Sequence, residues 1–422
     1  MRTTPPPCKP VDFVRVVPPE KTVLDNGVPL YTVNEGKEEV VQLSLLWEAG
    51  SICQNLPLTA PAVCRMLSEG SDGYSGKEIA ETVEFHGASL ACSCEKDVAM
   101  VRLLTARRHL HRLLPLLADM VNCPAFPEKE LQAFLARSRS HFLADEAVGR
   151  LVARKRFLSA LFGGSHPYGE GERLEDFDRL TAGGLRRFHR NYYRAGRCRI
   201  VAAGKVTDGD VQQINFHLGS PLQPEDAPEE PPQYAFEPAE NRRERVERKG
   251  SLQASVRIGK RACTRQHEDY AGLCVLNALL GGYFGSRLMR SLREEKGYTY
   301  GIHSSLIPLQ KAGYFTITTE TGADVLADAL RGIYREMERL REEPVGSDEL
   351  NLVKTFMRSE MLRWFDGPFA RAESLIMLLE NRQDETYYTR YMDCIRTIDA
   401  QELQRLAQKY LDTDAMYETV VV

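Results

Sequence analysis

Leu279–Ile302 reads LLGGYFGSRLMRSLREEKGYTYGI, a loop that feeds a short helix and returns as a strand. Gly281-Gly282-Tyr283-Phe284-Gly285 is Gly-rich. Ser286 is of the type that caps helices by accepting from an early backbone N–H. Leu288, Met289 and Leu292 then share one side of a helix, with Arg287, Arg290 and Glu294 on the other. Gly297 suits the left-handed position past a helix C-terminus. Tyr298 and Tyr300 follow on one face of a strand, because strand side chains alternate. Arg293 precedes the break by a turn and Tyr300 closely follows it, and a helix-to-strand reversal can bring the two side chains together.

The chain around this stretch has 422 residues, long enough for two domains. An apolar fraction of 43% supports packed cores. No run of about 18 apolar residues exists to span a membrane. The start, MRTTPPPCKPVDF, lacks the apolar centre of a secretory signal, and a cytoplasmic location is expected. Net charge is −4. Basic residues are interleaved with acids, as in Arg242–Lys249 (RRERVERK), which is the pattern of a solvated face and not of a nucleic-acid stripe. The ten cysteines form no CxxC pair and read as reduced thiols. Neither GxSxG nor a GxxxxGK phosphate loop occurs.

In chain order, residues 1–20 are Pro-rich and expected to be extended. Lys21–Asn34 reads as a hairpin turning at Asn26-Gly27. Val40–Ala49 reads as a strand with Leu43, Leu45 and Trp47 on one face. Helices are expected over Thr59–Glu69, with Pro61 in its first turn, and over Gly76–His86, ended by Gly87. Strands follow over Ser89–Thr105, turning near Glu95-Lys96-Asp97. Further helices are expected over Arg108–Val121, Pro127–His141, Leu151–Leu161 and Leu180–Asn191, then a buried strand over Cys198–Ala203. The stretch 219–233 is rich in proline and acid and reads as a linker.

The second half repeats the first. A strand at Ser251–Ile258 precedes a helix at His267–Leu279 that matches Thr59–Glu69. Lys311–Thr319 matches Val98–Thr105, and Leu326–Arg341 matches Arg108–Val121. Glu130-Leu131 and Glu349-Leu350 stand at equal offsets from the preceding strand and helix. The expected fold is α+β: two homologous domains, each an antiparallel-rich sheet packed with several helices. Their expected bounds are 21–218 and 246–422, with an extended segment at 1–20 and a Pro/Glu-rich linker at 219–245.

The stretch around Arg293 resembles the C-terminal signature of the pitrilysin/insulinase family of zinc peptidases. There a Gly-rich loop precedes SRLMxxLREExGYxY, and an Arg and a Tyr seven positions apart contact substrate. Arg293 and Tyr300 stand at that spacing, and LDNGVPLY near the start resembles the family's opening strands. The resemblance implies two homologous α+β domains joined by a linker. It also implies an HxxEH motif on the first long helix, whose His residues bind zinc and whose Glu activates water, with a further Glu ligand downstream. Alignment on Met66-Leu67 and Gly70 puts Pro61, Cys64 and Arg65 at the His, Glu and His positions. Pro has no ligand atom, and Arg is a fixed cation. Leu131–Ala144, where the further Glu falls, has no acidic residue, and its His141 has no partners. Of the remaining candidates, His109 and His111 point to different faces of a helix. Cys92 and Cys94 share a strand face and read more readily as buried small side chains. No metal or cofactor is expected in this chain.

Loss of the zinc half with retention of the Arg/Tyr half resembles the non-metal subunit of two-subunit family members. The expected partner is a homologous chain bearing HxxEH and zinc, and the expected substrates are peptides or unfolded segments held partly as an added strand. Gly281–Gly285 reads either as a substrate-touching loop or as a plain entry to the helix. The alternative implied by the same resemblance is an inert scaffold, like the family's core proteins of respiratory complexes.

Overall fold

The computed structural model describes residues 17–220, 230–248, 250–251 and 253–422. The Pro-rich start before residue 17 and most of the stretch read as a linker lie outside the described residues. The first half runs β1 (Glu20–Val23), β2 (Pro29–Asn34), β3 (Val40–Trp47), α1 (Thr59–Met66), α2 (Gly76–Phe85), β4 (Ser89–Cys94), β5 (Ala99–Ala106), α3 (Leu110–Asn122), α4 (Glu128–Asp145), α5 (Gly149–Phe162), α6 (Ala182–Tyr192), β6 (Cys198–Gly204) and α7 (Asp208–Leu218). The second runs β7 (Arg243–Val246), β8 (Gln253–Ala262), α8 (Tyr270–Asn277), β9 (Thr299–Pro308), β10 (Gly313–Gly322), α9 (Leu326–Glu342), α10 (Ser347–Arg363), α11 (Gly367–Glu380), α12 (Thr386–Thr397), α13 (Ala400–Tyr410) and β11 (Tyr417–Val421).

Local signals account for many of these bounds. The β1–β2 hairpin turns at Gly27, whose φ of +83° only glycine adopts freely. Ser75 and Glu78 close a capping box on α2. Thr207 and Asp210 do the same on α7, a helix that the sequence reading did not anticipate. The charged run at Arg242–Lys249 also contributes more than a solvated face. Arg243–Val246 is β7, which pairs in parallel with β11 and leaves alternate side chains outside.

The two sheets have the same strand order. The first is β1-β2-β6-β3-β5-β4 and the second β7-β11-β8-β10-β9. Once β1 is set aside, β2, β6, β3, β5 and β4 correspond to β7, β11, β8, β10 and β9. The parallel pair falls at the same place in each, β2 with β6 and β7 with β11, and the neighbouring pairs are antiparallel. Each sheet carries helices on its inner face around its own core.

The outer faces are covered by exchange. α5, from the first half, packs on β8 and β11 of the second sheet, where Phe157, Leu158, Leu161 and Phe162 meet Tyr314 and Tyr417. Reciprocally, α11 packs on β6 and β2 of the first sheet, and its Ala372, Leu375 and Ile376 meet Val33, Leu46 and Val201. This explains β3, which is buried along nearly its whole length. Val41, Leu43, Leu45 and Trp47 point into the first core and Leu46 into the α11 contact.

The halves also meet at their hairpin tips. The Gln310 N–H, between β9 and β10, donates to the Asp97 carboxylate, between β4 and β5, at 3.0 Å. Asp97 also accepts from the Tyr168 hydroxyl. Close by, the Glu380 carbonyl at the end of α11 accepts from Gln310 Nε2 at 2.7 Å. Burial, then the charges of Glu373, Glu95 and Asp97, push the Glu380 carboxyl up from 4.5 to about 7, against a smaller opposing effect of Arg265. A raised carboxyl disfavours the ionised form in the fold, so stability is lost as pH rises from 4.5 to about 7. Glu380→Gln removes that loss. The variant's melting temperature relative to the parent is expected to rise between about pH 5 and about pH 8, as thermal unfolding at both values would show.

Candidate substrate-contact site

The helix that carries Pro61, Cys64 and Arg65 is α1. Leu58, at φ +70°, turns the chain into it. The Gln54 side chain accepts from the Ala60 N–H at 3.1 Å in place of an ordinary cap. Pro61 sits in the first turn, where its missing N–H is harmless. Cys64 points inward, and its thiol donates to the Ser93 carbonyl on β4 at 3.2 Å. Burial pushes that thiol up to about 11. Arg65 points outward and pairs with Glu69 at 3.3 Å. A proline ring, a buried protonated thiol and a solvated cation do not fit a zinc ion.

α4 passes alongside α1. It turns Leu131 and Leu135 into the core and leaves His141 exposed. Cys92 and Cys94 pack against the first core from β4, and burial pushes both thiols upward. His109 packs against His86 in a tilted pair, with ring centroids 4.7 Å apart. Among the described residues, no group of three or more His, Cys, Asp or Glu is arranged to hold a metal ion.

In the second half, α8 widens into a π-helical turn over Ala278–Gly282, so the first two loop glycines continue the helix. A Cβ on Gly281 would meet the Ser304 backbone nitrogen at 2.6 Å, so a side chain there would push β9 away. Tyr283 stacks on Phe356 of α10 at 4.8 Å. Phe284 projects outward and is 64% exposed. Ser286 does not cap through its side chain. It is 1% exposed and its hydroxyl has no partner, because packing turns it inward, and only its carbonyl serves the helix by accepting from the Arg290 N–H at 3.0 Å.

Met289–Glu295 is again π-helical, a wide turn often found at functional sites. Leu288, Met289 and Leu292 are buried as the pattern requires. Arg287 differs from its expected solvent-facing place. It makes a two-pronged pair with Glu349 of α10, Nε to Oε1 at 2.9 Å and Nη2 to Oε2 at 2.8 Å. Gly297 has φ +64°, and the Tyr298 N–H closes the turn on the Leu292 carbonyl at 2.9 Å.

Arg293 neither hydrogen-bonds Tyr300 nor lies over its ring. The Arg293 guanidinium lies over the Phe284 ring, 4.8 Å from its centroid, while Tyr300 is 92% exposed. A β-bulge lies at Tyr300. Thr319 stands opposite Ile302 and Thr321 opposite Thr299, so Tyr300 and Gly301 together oppose Glu320 alone. An extra residue of this kind bends a strand and re-aims its side chains. The strand therefore holds Tyr300 out to solvent on an otherwise regular ten-residue element.

Residues 31–163 match the family described as insulinase (peptidase family M16), and residues 179–357 match the peptidase M16 inactive domain. The chain belongs to peptidase family M16. Its relatives include the uncharacterized zinc protease YmxG of Bacillus subtilis, 26% identical over 304 residues, which cover 70% of this chain and 72% of that one. An uncharacterized zinc protease of Mycobacterium tuberculosis is 23% identical over 374 residues, 87% of this chain and 84% of its own. The Helicobacter pylori protein described as the non-peptidase homolog YmxG is 21% identical over 309 residues, 72% of this chain and 70% of its own. Two crystal structures share the fold. The peptidase M16 inactive domain from Pseudomonas fluorescens superposes with a TM-score of 0.85 at 24% identity, over 96% of this chain and 98% of that one. A protease from Helicobacter pylori does so at 0.87 and 18% identity, over 96% and 100%.

The stretch 279–302 thus includes a side chain that anchors its helix. The Arg287 side chain is 10% exposed and that of Glu349 22%. Removing one partner of a buried pair strands the other charge. Glu349→Ala is expected to cost about 3 kcal/mol, the low end for such a loss because Glu349 keeps some contact with water. Urea denaturation of variant and parent measures it.

Proposed function

We propose that this chain is the metal-free subunit of a heteromeric zinc-dependent M16 peptidase. Its partner is a homologous chain bearing HxxEH and zinc. Its own part is to supply Arg293 and Tyr300 to the substrate and transition state of peptide-bond hydrolysis. The observation that carries this reading is the bulge that exposes Tyr300, seven residues from a half-buried arginine, in a chain whose Pro61, Cys64 and Arg65 positions cannot ligate zinc.

The chemistry follows from charge. Attack on a peptide carbonyl makes an oxyanion, and donors already in place for it lower the barrier. The Tyr300 hydroxyl is one such donor. The Arg293 guanidinium, with five N–H groups, suits substrate carbonyls and carboxylates. Phe284 is the member of Gly281–Gly285 best exposed to touch peptide. β9 is the edge of its sheet, so its free backbone groups suit an added peptide strand. The nine described cysteines are all free thiols, and a cytoplasmic location is part of the proposal.

A second reading is an inert assembly subunit, favoured by the Helicobacter pylori relative described as a non-peptidase homolog. Reconstitution with an HxxEH chain separates the two. The dialysed chain alone is expected to hold no stoichiometric zinc and to cleave nothing, and the pair to cleave peptides. Tyr300→Phe is expected to lower turnover about 100–1000-fold, more than it raises KM. Arg293→Ala is expected to weaken substrate binding as well. If both variants pair normally on gel filtration and cleave at the parent rate, the scaffold reading replaces this one.

A further inference from the structure

An extra residue disrupts the ladder locally, and around the bulge at Tyr300 three threonine hydroxyls bond to the main chain. Thr299 Oγ1 accepts from the Gly301 N–H at 3.0 Å and donates to the Glu320 carbonyl at 2.7 Å. Thr319 Oγ1 donates to the Gly301 carbonyl at 2.9 Å and lies 2.9 Å from Thr299 Oγ1. Thr321 Oγ1 donates to the Tyr298 carbonyl at 2.7 Å. Tyr300 is therefore flanked on both sides by backbone that side-chain hydroxyls hold in place. Thr319 and Thr321 are both buried, so no water stands ready to take over their bonds.

We infer that Thr299, Thr319 and Thr321 are positioning residues for Tyr300, a hydroxyl clasp that keeps the bulge open and the phenol projected. The inference rests on the reading that Tyr300 meets substrate, and it names the residues through which the fold controls that contact. β-branched residues favour strands whatever their polarity. Valine in place of threonine keeps the shape and the strand preference and removes only the hydroxyl. A strand that needs threonine merely for its shape tolerates valine at all three sites. A clasp does not, because an unsupported bulge relaxes toward regular pairing, and Tyr300 shifts with it.

The test has two arms. In the first, 3-fluorotyrosine is placed at position 300 and, as a control, at Tyr314 on β10. Thr299→Val and Thr319→Val are expected to shift and broaden the fluorine resonance at 300 and leave that at 314 unchanged, with Thr299→Ser restoring the parent signal. A resonance at 300 that neither valine moves overturns the clasp, whether or not the protein is a peptidase subunit. In the second arm, the chain is assayed with its HxxEH partner. Thr299→Val is expected to lower kcat by about tenfold to 100-fold with little change in KM, and to have no further effect when Tyr300 is already Phe. An equal loss in both backgrounds shows that the threonine does not act through Tyr300 and also overturns the inference. If Tyr300→Phe alone leaves turnover unchanged, the proposed function fails, and the fluorine arm still decides whether the clasp exists.

Discussion

The reciprocal packing of α5 and α11 joins the two halves into one body. Each half's own helices cover only one face of its sheet, and a helix from the other half covers part of the second. Phe157, Leu158, Leu161 and Phe162 of α5 are fully or nearly fully buried against the opposite half. At about 1.5–3 kcal/mol for each large apolar side chain buried, that helix alone contributes on the order of 6–12 kcal/mol before entropy is counted. The whole stability of an ordinary domain is about 5–15 kcal/mol. Neither half therefore has a complete core without a helix from the other. The hairpin tips that meet through Asp97 and Gln310 lie on the same seam.

That seam leaves the chemistry-bearing elements on sheet edges and helix ends, where side chains reach solvent. β4 and β9 are equivalent edge strands of the two sheets, and α1 and α8 the equivalent helices before them. In the first half Cys64 is part of the core and Arg65 part of the surface. Cys64 fills space against Ser93, and Arg65 turns outward to Glu69. This arrangement is compatible with the fold because α1 is held by packing, with Ala60, Ala62, Val63 and Met66 all fully buried, and not by a metal. In the second half the equivalent region is elaborated by two wide helical turns, a glycine pressed against β9 and a bulge. Departures from regular geometry of this kind cost free energy and persist where surrounding contacts over-determine them.

Much of the architecture was legible in the chain itself. The β1–β2 hairpin, the strands Val40–Ala49 and Cys198–Ala203, the helix ends at Gly87 and Gly297, and the order of the repeat are all local or periodic signals, and the structure carries them. Arg287 and Ser286 depart from their pattern because helical periodicity assigns a side chain to a face and says nothing of what lies opposite. For Arg287 that is Glu349, 62 residues on. For Ser286 it is packing that buries the hydroxyl.

The α+β class, the twofold repeat, the unsuitability of Pro61, Cys64 and Arg65 as zinc ligands, and the spacing of Arg293 and Tyr300 can all be read from residue order. These follow from residue type, period and separation along the chain. The tertiary structure alone decided that helices cross between the halves, that Arg293 rests on Phe284, and that Tyr300 stands out from β9 on a threonine-supported bulge. Each of these depends on strand register or on contacts between distant segments. A single extra residue in a ladder changes which backbone groups go unpaired, and local pattern does not record it.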